Sequence, residues 1–484
     1  VLGAAGLLLA LGALILLAYR GVSVLLAAPL AALLAVVVTG GLPLLASYTQ
    51  VFMPAAGQFV VSFFPLFLLG AVFGKLMDAS GSARSIADAA VRALGAERAI
   101  LAVVLSCAVL TYGGVSLFVV AFAVFPIATA LFGASGIPRR LIPASIALGA
   151  FTFTMTALPG TPAIQNAIPM PFFGTTVFAA PGIGIAAAAV MGGFGLAWLS
   201  FRARRLRAAG EGFDGPADPP ALGADRRMRN LAHGEAFDLG EIGTDAPARD
   251  LPPVWVAAAP IVLVVALNFA FVGFVIPAMD TAYLAEPRFG ATTVDGVRGL
   301  WAITAALALT ILATIALNAR RLPDLKGTLG SGADASVLPI FNTASLVGFG
   351  AVVAALPAFA AIREAVLGIG TGNLLVSLAA ASGLLAGITG SASGGMTIAL
   401  QALGSTYAEM AQAAGVAPDL LHRVTAIATG GLDTLPHNGA VITLLGIARL
   451  THREAYGDIF MVGVVGPLLA LAAAILLGTA FGGF

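Results

Sequence analysis

The sequence predicts an all-α polytopic membrane protein of two inverted repeats, with about ten transmembrane helices and two opposed re-entrant hairpins. Three observations lead there: a strongly apolar composition, one polar segment dividing the chain, and helix-breaking motifs that recur at corresponding places on either side of it.

Hydrophobic residues make up 59% of the chain and charged residues 10%, with a mean hydropathy of +1.01. A soluble domain carries about 25% charged residues, so most of this chain cannot face water. Its apolar stretches reach the ~20 helical residues needed to cross a hydrocarbon core. The net charge of +1 and the lack of a basic run give no reason to expect a nucleic-acid partner. Cys107 is the single cysteine, which rules out an intramolecular disulfide and reads as apolar filler. The stretch 1–19 lacks a basic leader and is followed directly by another apolar span, so it reads as a membrane span rather than a signal peptide.

From Arg202 to about Pro252 the chain turns polar and rich in Gly and Pro, without apolar periodicity. It reads as a cytoplasmic linker between a first repeat, 1–201, and a second, 253–484. Spans are expected near 1–19, 21–41, 57–76, 141–168 and 177–201, then near 253–279, 298–319, 336–361, 421–449 and 458–482. The stretches 98–135 and 371–404 are each two short apolar arms around a Gly/Ser break, which suits a hairpin that enters and leaves on one side. Placing the basic residues, Lys75 and the Arg202–Arg207 cluster among them, in the cytoplasm brings the first hairpin in from the cytoplasm and the second from outside. The alternative for 98–135 is two crossings joined by a tight turn, which would make the repeats parallel.

Four breaks interrupt the apolar pattern: Gly113-Gly114-Val115-Ser116, Pro159-Gly160-Thr161-Pro162, Ser391-Ala392-Ser393-Gly394-Gly395 and Thr434-Leu435-Pro436-His437-Asn438-Gly439. Irregular backbone at bilayer depth is tolerated only where protein buries it or a watery cavity meets it. Half-helix ends present N–H groups to anions and carbonyls to cations. The breaks are therefore the expected substrate site, with Gly114, Gly160 and Gly394 letting backbone approach the ligand. Asp433 and His437 are the titratable groups expected deep in a span, where such residues are costly and usually functional. With no Lys or Arg among the breaks, negative charge on a substrate is expected to meet dipoles, hydroxyls and amides, with a bound cation or a protonated His437 as the further source of positive charge. "GAVFGKL" lacks P-loop spacing, and no HExxH occurs. The chain is not expected to be an enzyme.

The segments "FGKLMDASGSARSIADAAVRALG", "ALPGTPAIQNAIP", "ITGSASGGMTIALQA" and "GGLDTLPHNGAVITLLGIARLTHREAYGDI" resemble the gluconate:proton symporter (GntP) family of the ion transporter superfamily. The resemblance implies scaffold and transport domains, an elevator motion, a homodimer in the bacterial inner membrane, and proton symport of a small organic anion without other cofactors or metal. It puts the hairpin-tip site on Ser116, Ser391 and Ser393, and the broken-span site on Thr161, Asn166, Asp433, His437 and Asn438. Asp433 and His437 would couple the proton. Val119 and Val120 stand where gluconate carriers have an acidic residue, which departs from the pattern of sugar-acid carriers, and "LDTLPHNGAVITLL" looks closer to relatives associated with short-chain acids such as 3-hydroxybutyrate. A sodium-coupled carboxylate symporter is the alternative within transport, and an anion channel the alternative of another class.

Overall fold

The computed structural model describes the whole chain except residues 1, 21, 116, 214–249, 361–363, 365–367, 370–371 and 437. Ser116, His437 and most of the linker expected at 202–252 lie outside the described residues. What is described is helical, and no strand occurs among the described residues.

The first half begins with α1 (Leu2–Tyr19) and α2 (Val24–Thr39), followed by the long α3 (Leu44–Ala79). Ser23 caps α2 by accepting the Leu25 N–H, and Gly40 ends it with a positive φ. Next come the amphipathic α4 (Ser82–Leu94), α5 (Ala99–Tyr112), α6 (Leu117–Ser135) and α7 (Ile142–Ala150). Residues 151–180 contain only short helical turns, after which α8 (Pro181–Ala208) is continuous. The second half contributes α9 (Val254–Ala278), α10 (Val294–Arg321) and α11 (Leu325–Ala355). These lead to α12 (Leu374–Thr389), α13 (Ala392–Ala414), α14 (Pro418–Asp433), α15 (Gly439–Ala448) and α16 (His452–Phe481).

Six of these helices, α3, α8, α9, α10, α11 and α16, are long and apolar enough to cross a bilayer. That is fewer than the ten spans expected. The stretches 141–168 and 421–449 are not continuous helices: α7 ends at Ala150, well before the Pro159–Pro162 break, and α14 ends at Asp433, just before Pro436. α2, at 16 residues, falls short of a full crossing. The first irregular stretch is also longer than its sequence break, since Thr152 leaves the helical region nine residues before Thr161. α4 was not anticipated; it follows a sharp turn and meets the next helical segment at 108°. α8 continues through Ala208, so residues 202–208 of the polar segment are helical.

The core is built on close antiparallel helix pairs. A Cβ on Gly332 of α11 would come within 2.8 Å of the Val72 Cα of α3, and one on Gly348 within 2.8 Å of the Phe52 ring. The pairs 332/72 and 348/52 run in opposite directions, so the start of α11 lies beside the end of α3. α5 and α6 form one helical hairpin whose open end is tied by the Ser135 hydroxyl donating to the Ala96 carbonyl (2.6 Å). α12 and α13 form the other. A Cβ on Gly395 would collide with Leu385 and Ala386, so glycine is what lets these arms meet. Farther from that turn, Ser377 and the Tyr407 hydroxyl are hydrogen-bonded at 2.7 Å.

Candidate substrate cavity

The turns of both hairpins open on one cavity of about 270 Å³. Gly114 and Val115 contribute from the first, Thr389, Ser391 and Ser393 from the second, and Pro162 to Gln165 from the irregular stretch after α7. α3, with Gly70, Gly74 and Lys75, and α11, with Ser336, Asn342 and Thr343, also line it. At the first turn Gly114 adopts a φ of +89°, and a Cβ there would sit 2.7 Å from the Pro162 ring. Glycine is therefore required both for the left-handed backbone and for the contact. At the second, Gly390 ends α12 in the left-handed region, and the Ser391 hydroxyl accepts the Gly394 N–H (3.2 Å) to cap α13.

Of the described site residues expected from sequence, Gly114, Ser391 and Ser393 line this cavity. The others stand behind its walls. Thr161 and Asn166 are fully buried, and Gly160 has a φ of +85° and donates its N–H to the Val177 carbonyl (2.9 Å). Gly394 packs against Leu346. Asn438 donates to the Gly390 carbonyl (2.7 Å) and to Asp433 Oδ1 (3.1 Å), while its own Oδ1 accepts the Val441 N–H (3.1 Å) and caps α15. Asp433 Oδ1 also accepts the Ala392 N–H at the start of α13 (2.8 Å). Asp433 and Asn438 thus clasp the second hairpin turn to the break between α14 and α15.

Two expectations about charge are corrected. His422 and Arg423, near the start of α14, are completely buried, so titratable groups other than the two expected from sequence lie deep in the protein. Their place at the edge of the 421–449 apolar run made them look like flanking residues. Arg423 is drawn in because the irregular stretch leaves carbonyls without helical partners. It donates to the carbonyls of Ala179 (2.7 Å), Thr156 (3.2 Å) and Val177 (3.2 Å) and to Asn166 Oδ1 (2.9 Å). Asn166 Nδ2 donates to the Thr161 and Val177 carbonyls, which fixes its Oδ1 as an acceptor. A neutral His422 then donates from Nε2 to that oxygen (3.2 Å) and accepts the Thr175 hydroxyl at Nδ1 (2.7 Å). Asn166 is a structural junction between the two halves.

The second correction concerns Lys75. Expected at the cytoplasmic end of a span, it is only 8% exposed and lines the cavity, so a cation does stand in the candidate site. It lies about 40 residues before the hairpin turn in sequence, and the pairing of α3 with α11 brings it there. The signal in the sequence was the Gly70, Gly74, Lys75 spacing, which puts two side-chain-free positions on one helix face beside a charge.

Membrane-length apolar helices packed around a largely apolar cavity that carries a few polar side chains, at the meeting of two helical hairpins and a broken segment, define a multi-pass membrane protein of the transporter class. Comparison with known proteins agrees. The chain belongs to the family of the uncharacterized transporter YxjC of Bacillus subtilis (strain 168), with which it is 43% identical over 464 residues, 95% of each chain. No family model matches it. Among solved structures its fold resembles the YdaH transporter of Alcanivorax borkumensis, with a TM-score of 0.54 and 15% identity over 88% of each chain. It also resembles MtrF of Neisseria gonorrhoeae, which represents a class of antimetabolite efflux pumps. There the TM-score is 0.51 and the identity 13%, over 89% of this chain and 83% of the other.

Proposed function

We propose that this chain is a secondary active transporter of the bacterial plasma membrane. It would be a proton symporter, related to the gluconate:proton symporter family, for a small organic anion: a monocarboxylate or hydroxy acid such as gluconate or 3-hydroxybutyrate. The observation that carries the reading is that both hairpin turns and the first broken span share one cavity with a buried lysine. Irregular backbone inside a membrane protein needs such a cavity or a protein wall, and a volume near 270 Å³ lies just below the usual range of small-molecule pockets.

Two inverted repeats and opposed re-entrant hairpins belong to the same proposal. Supporting them is the order hairpin, broken segment, long helix, which occurs once in each half: α5 to α8, then α12 to α16. Hydrogen bonds support the opposition. Arg207 at the end of α8 donates to Ser135 and Gly136 at the open end of the first hairpin. Arg139 donates to Ala448 at the end of α15 (2.7 Å). These basic groups mark one face, cytoplasmic by the positive-inside rule. α14 and α15 lead to that face from the second hairpin, whose open end then lies on the other. A homodimer with scaffold and elevator parts follows the family resemblance.

Coupling is assigned to Asp433, with His437 as its neighbour in sequence. As a carboxylate, Asp433 receives charge-assisted hydrogen bonds from Ala392 and Asn438. Taking up a proton would reduce them to neutral ones, roughly half as strong, and loosen the second hairpin turn from the broken span. Purified protein in liposomes with imposed gradients tests this. Accumulation of 3-hydroxybutyrate or gluconate driven by an inward proton gradient is expected; accumulation driven by sodium alone at equal pH would overturn proton coupling in favour of sodium.

A further inference from the structure

We propose that the two hairpin turns divide the cavity by chemistry. Hydroxyls at the second turn take the carboxylate of the substrate, and the first turn takes a short apolar chain, with Val119 as the residue that sets this specificity. The inference rests on the transport reading above and narrows its substrate class to acids with an aliphatic chain, against polyhydroxylated ones.

The turns line one cavity with opposite kinds of surface. From the second come Thr389, Ser391 and Ser393, all with hydroxyl side chains and all partly exposed. The Ser391 and Ser393 hydroxyls lie 3.4 Å apart, and Ser391 Oγ accepts the Gly394 N–H. At most one of their two protons is used between them, so at least one can be donated to a carboxylate. From the described residues of the first hairpin come Thr111, Gly114, Val115, Leu117 and Val119. The Thr111 hydroxyl oxygen is buried, so that residue shows carbon to the cavity. Leu117 and Val119, at the start of α6, are both partly exposed. Ser336 and Thr343 of α11 donate their hydroxyls to their own helix and can still accept from a hydroxyl on the substrate.

Carbon and hydroxyl surfaces sort ligands in opposite directions. Each methylene moved from water onto an apolar wall improves binding about fourfold. A hydroxyl pressed against the same wall gives up its water without finding a partner, and an apolar pocket rejects an added hydroxyl by up to about a hundredfold. A chain with a hydroxyl on every carbon, as in gluconate, therefore meets Leu117 and Val119 unfavourably. An aliphatic chain meets them well.

The test uses purified full-length protein in detergent, with calorimetric binding of three acids of equal charge. These are 3-hydroxybutyrate, 3-hydroxypentanoate with one more methylene, and threonate, which has the carbon skeleton of 3-hydroxybutyrate and two further hydroxyls. The wild-type chain is expected to bind 3-hydroxypentanoate about fourfold more tightly than 3-hydroxybutyrate, and threonate at least about tenfold more weakly. Val119→Thr keeps the shape of the side chain and adds a hydroxyl. It should narrow the gap between 3-hydroxybutyrate and threonate about threefold to tenfold, the size of one neutral hydrogen bond. Ser393→Ala should weaken both acids and leave their ratio as it was. The wild-type ranking needs no variant, so it decides the matter even where a substitution prevents folding. Threonate bound by the wild-type chain as tightly as 3-hydroxybutyrate overturns the inference and leaves the transport reading standing. A ratio that moves with Ser393→Ala and not with Val119→Thr overturns the division between the turns. Failure of the wild-type chain to bind or take up these acids or gluconate overturns both the inference and the transport reading.

Discussion

Arg423 shows how a single residue answers to the backbone around it. Between residues 151 and 180 the chain forms only short turns, so its carbonyls need donors other than the helical N–H groups. A guanidinium, with five N–H donors in a planar fork, suits several such acceptors at once. Arg423→Met should remove these bonds and leave the Thr156 and Ala179 carbonyls short of partners, while the Val177 carbonyl keeps the Gly160 and Asn166 donors. At about 1–3 kcal/mol for each group left unsatisfied, the expected result is a large loss of thermal stability in detergent and a poor yield of folded protein. A melting temperature equal to that of the wild type would show that the guanidinium is not what supports this stretch. Gly70 makes the complementary case, because its missing side chain is the feature that counts. Gly70→Leu should fold normally, since a Cβ meets nothing there, yet fill the cavity and abolish uptake. Transport at the wild-type rate by this variant would place the substrate elsewhere.

At the scale of elements, the clasp between the second hairpin turn and the α14–α15 break separates a packing role from a coupling role. Asn438 caps α15 and ties it to Gly390. Asn438→Ala should therefore cost about 1–2 kcal/mol of stability, as lost N-caps do, measured as an earlier thermal transition in detergent. Asp433→Asn keeps an acceptor for the Ala392 N–H while removing the charge. It should fold, exchange substrate across a liposome membrane, and fail to accumulate it against a gradient. Gradient-driven accumulation by Asp433→Asn at the wild-type level would exclude Asp433 as the proton carrier. Ser391 and Ser393 divide similarly. Ser391 caps α13, whereas Ser393 lines the cavity as a non-capping residue. Ser393→Ala should weaken substrate binding without shifting the melting temperature.

At the scale of the whole molecule, the proposed opposition of the hairpins predicts which surfaces face the same compartment. Ala134, at the open end of the first hairpin, is exposed, as are Glu364 before the second and Glu409 near its far end. Cysteines introduced one at a time in a chain whose Cys107 is replaced should react with an impermeant maleimide from the cytoplasmic side at Ala134 and Asp88. At Glu409 and Glu364 they should react from outside. Ala134 and Asp88 labelling from opposite sides would end the model of a hairpin that returns to the face it entered from. The same experiment tests whether the arginine-rich end of α8, which touches Ser135 and Gly136, marks the cytoplasmic face.

Much of this architecture was legible in the order of residues because it depends on local properties. Apolar runs of helical length, Gly and Pro breaks, and Ser or Asn at a helix start act within one or two turns, so helix pairs form around Gly114 and Ser391, with α13 running on to Ala414 rather than ending near 404. Tertiary packing decided which polar residues face the cavity and which hold its walls. Thr161, Asn166 and Asn438 lie at the breaks yet spend their hydrogen bonds on backbone and side chains around them. Lys75 lies far from any break in sequence and still lines the cavity, because α3 and α11 pack antiparallel through glycines that let Val72 and Phe52 approach. Arg423 and His422 look like the boundary of a span and are fully buried instead, Arg423 on carbonyls and His422 on the Asn166 and Thr175 side chains of a distant segment. A sequence states which groups need partners; only the folded chain, where distant segments meet, decides which partners they find.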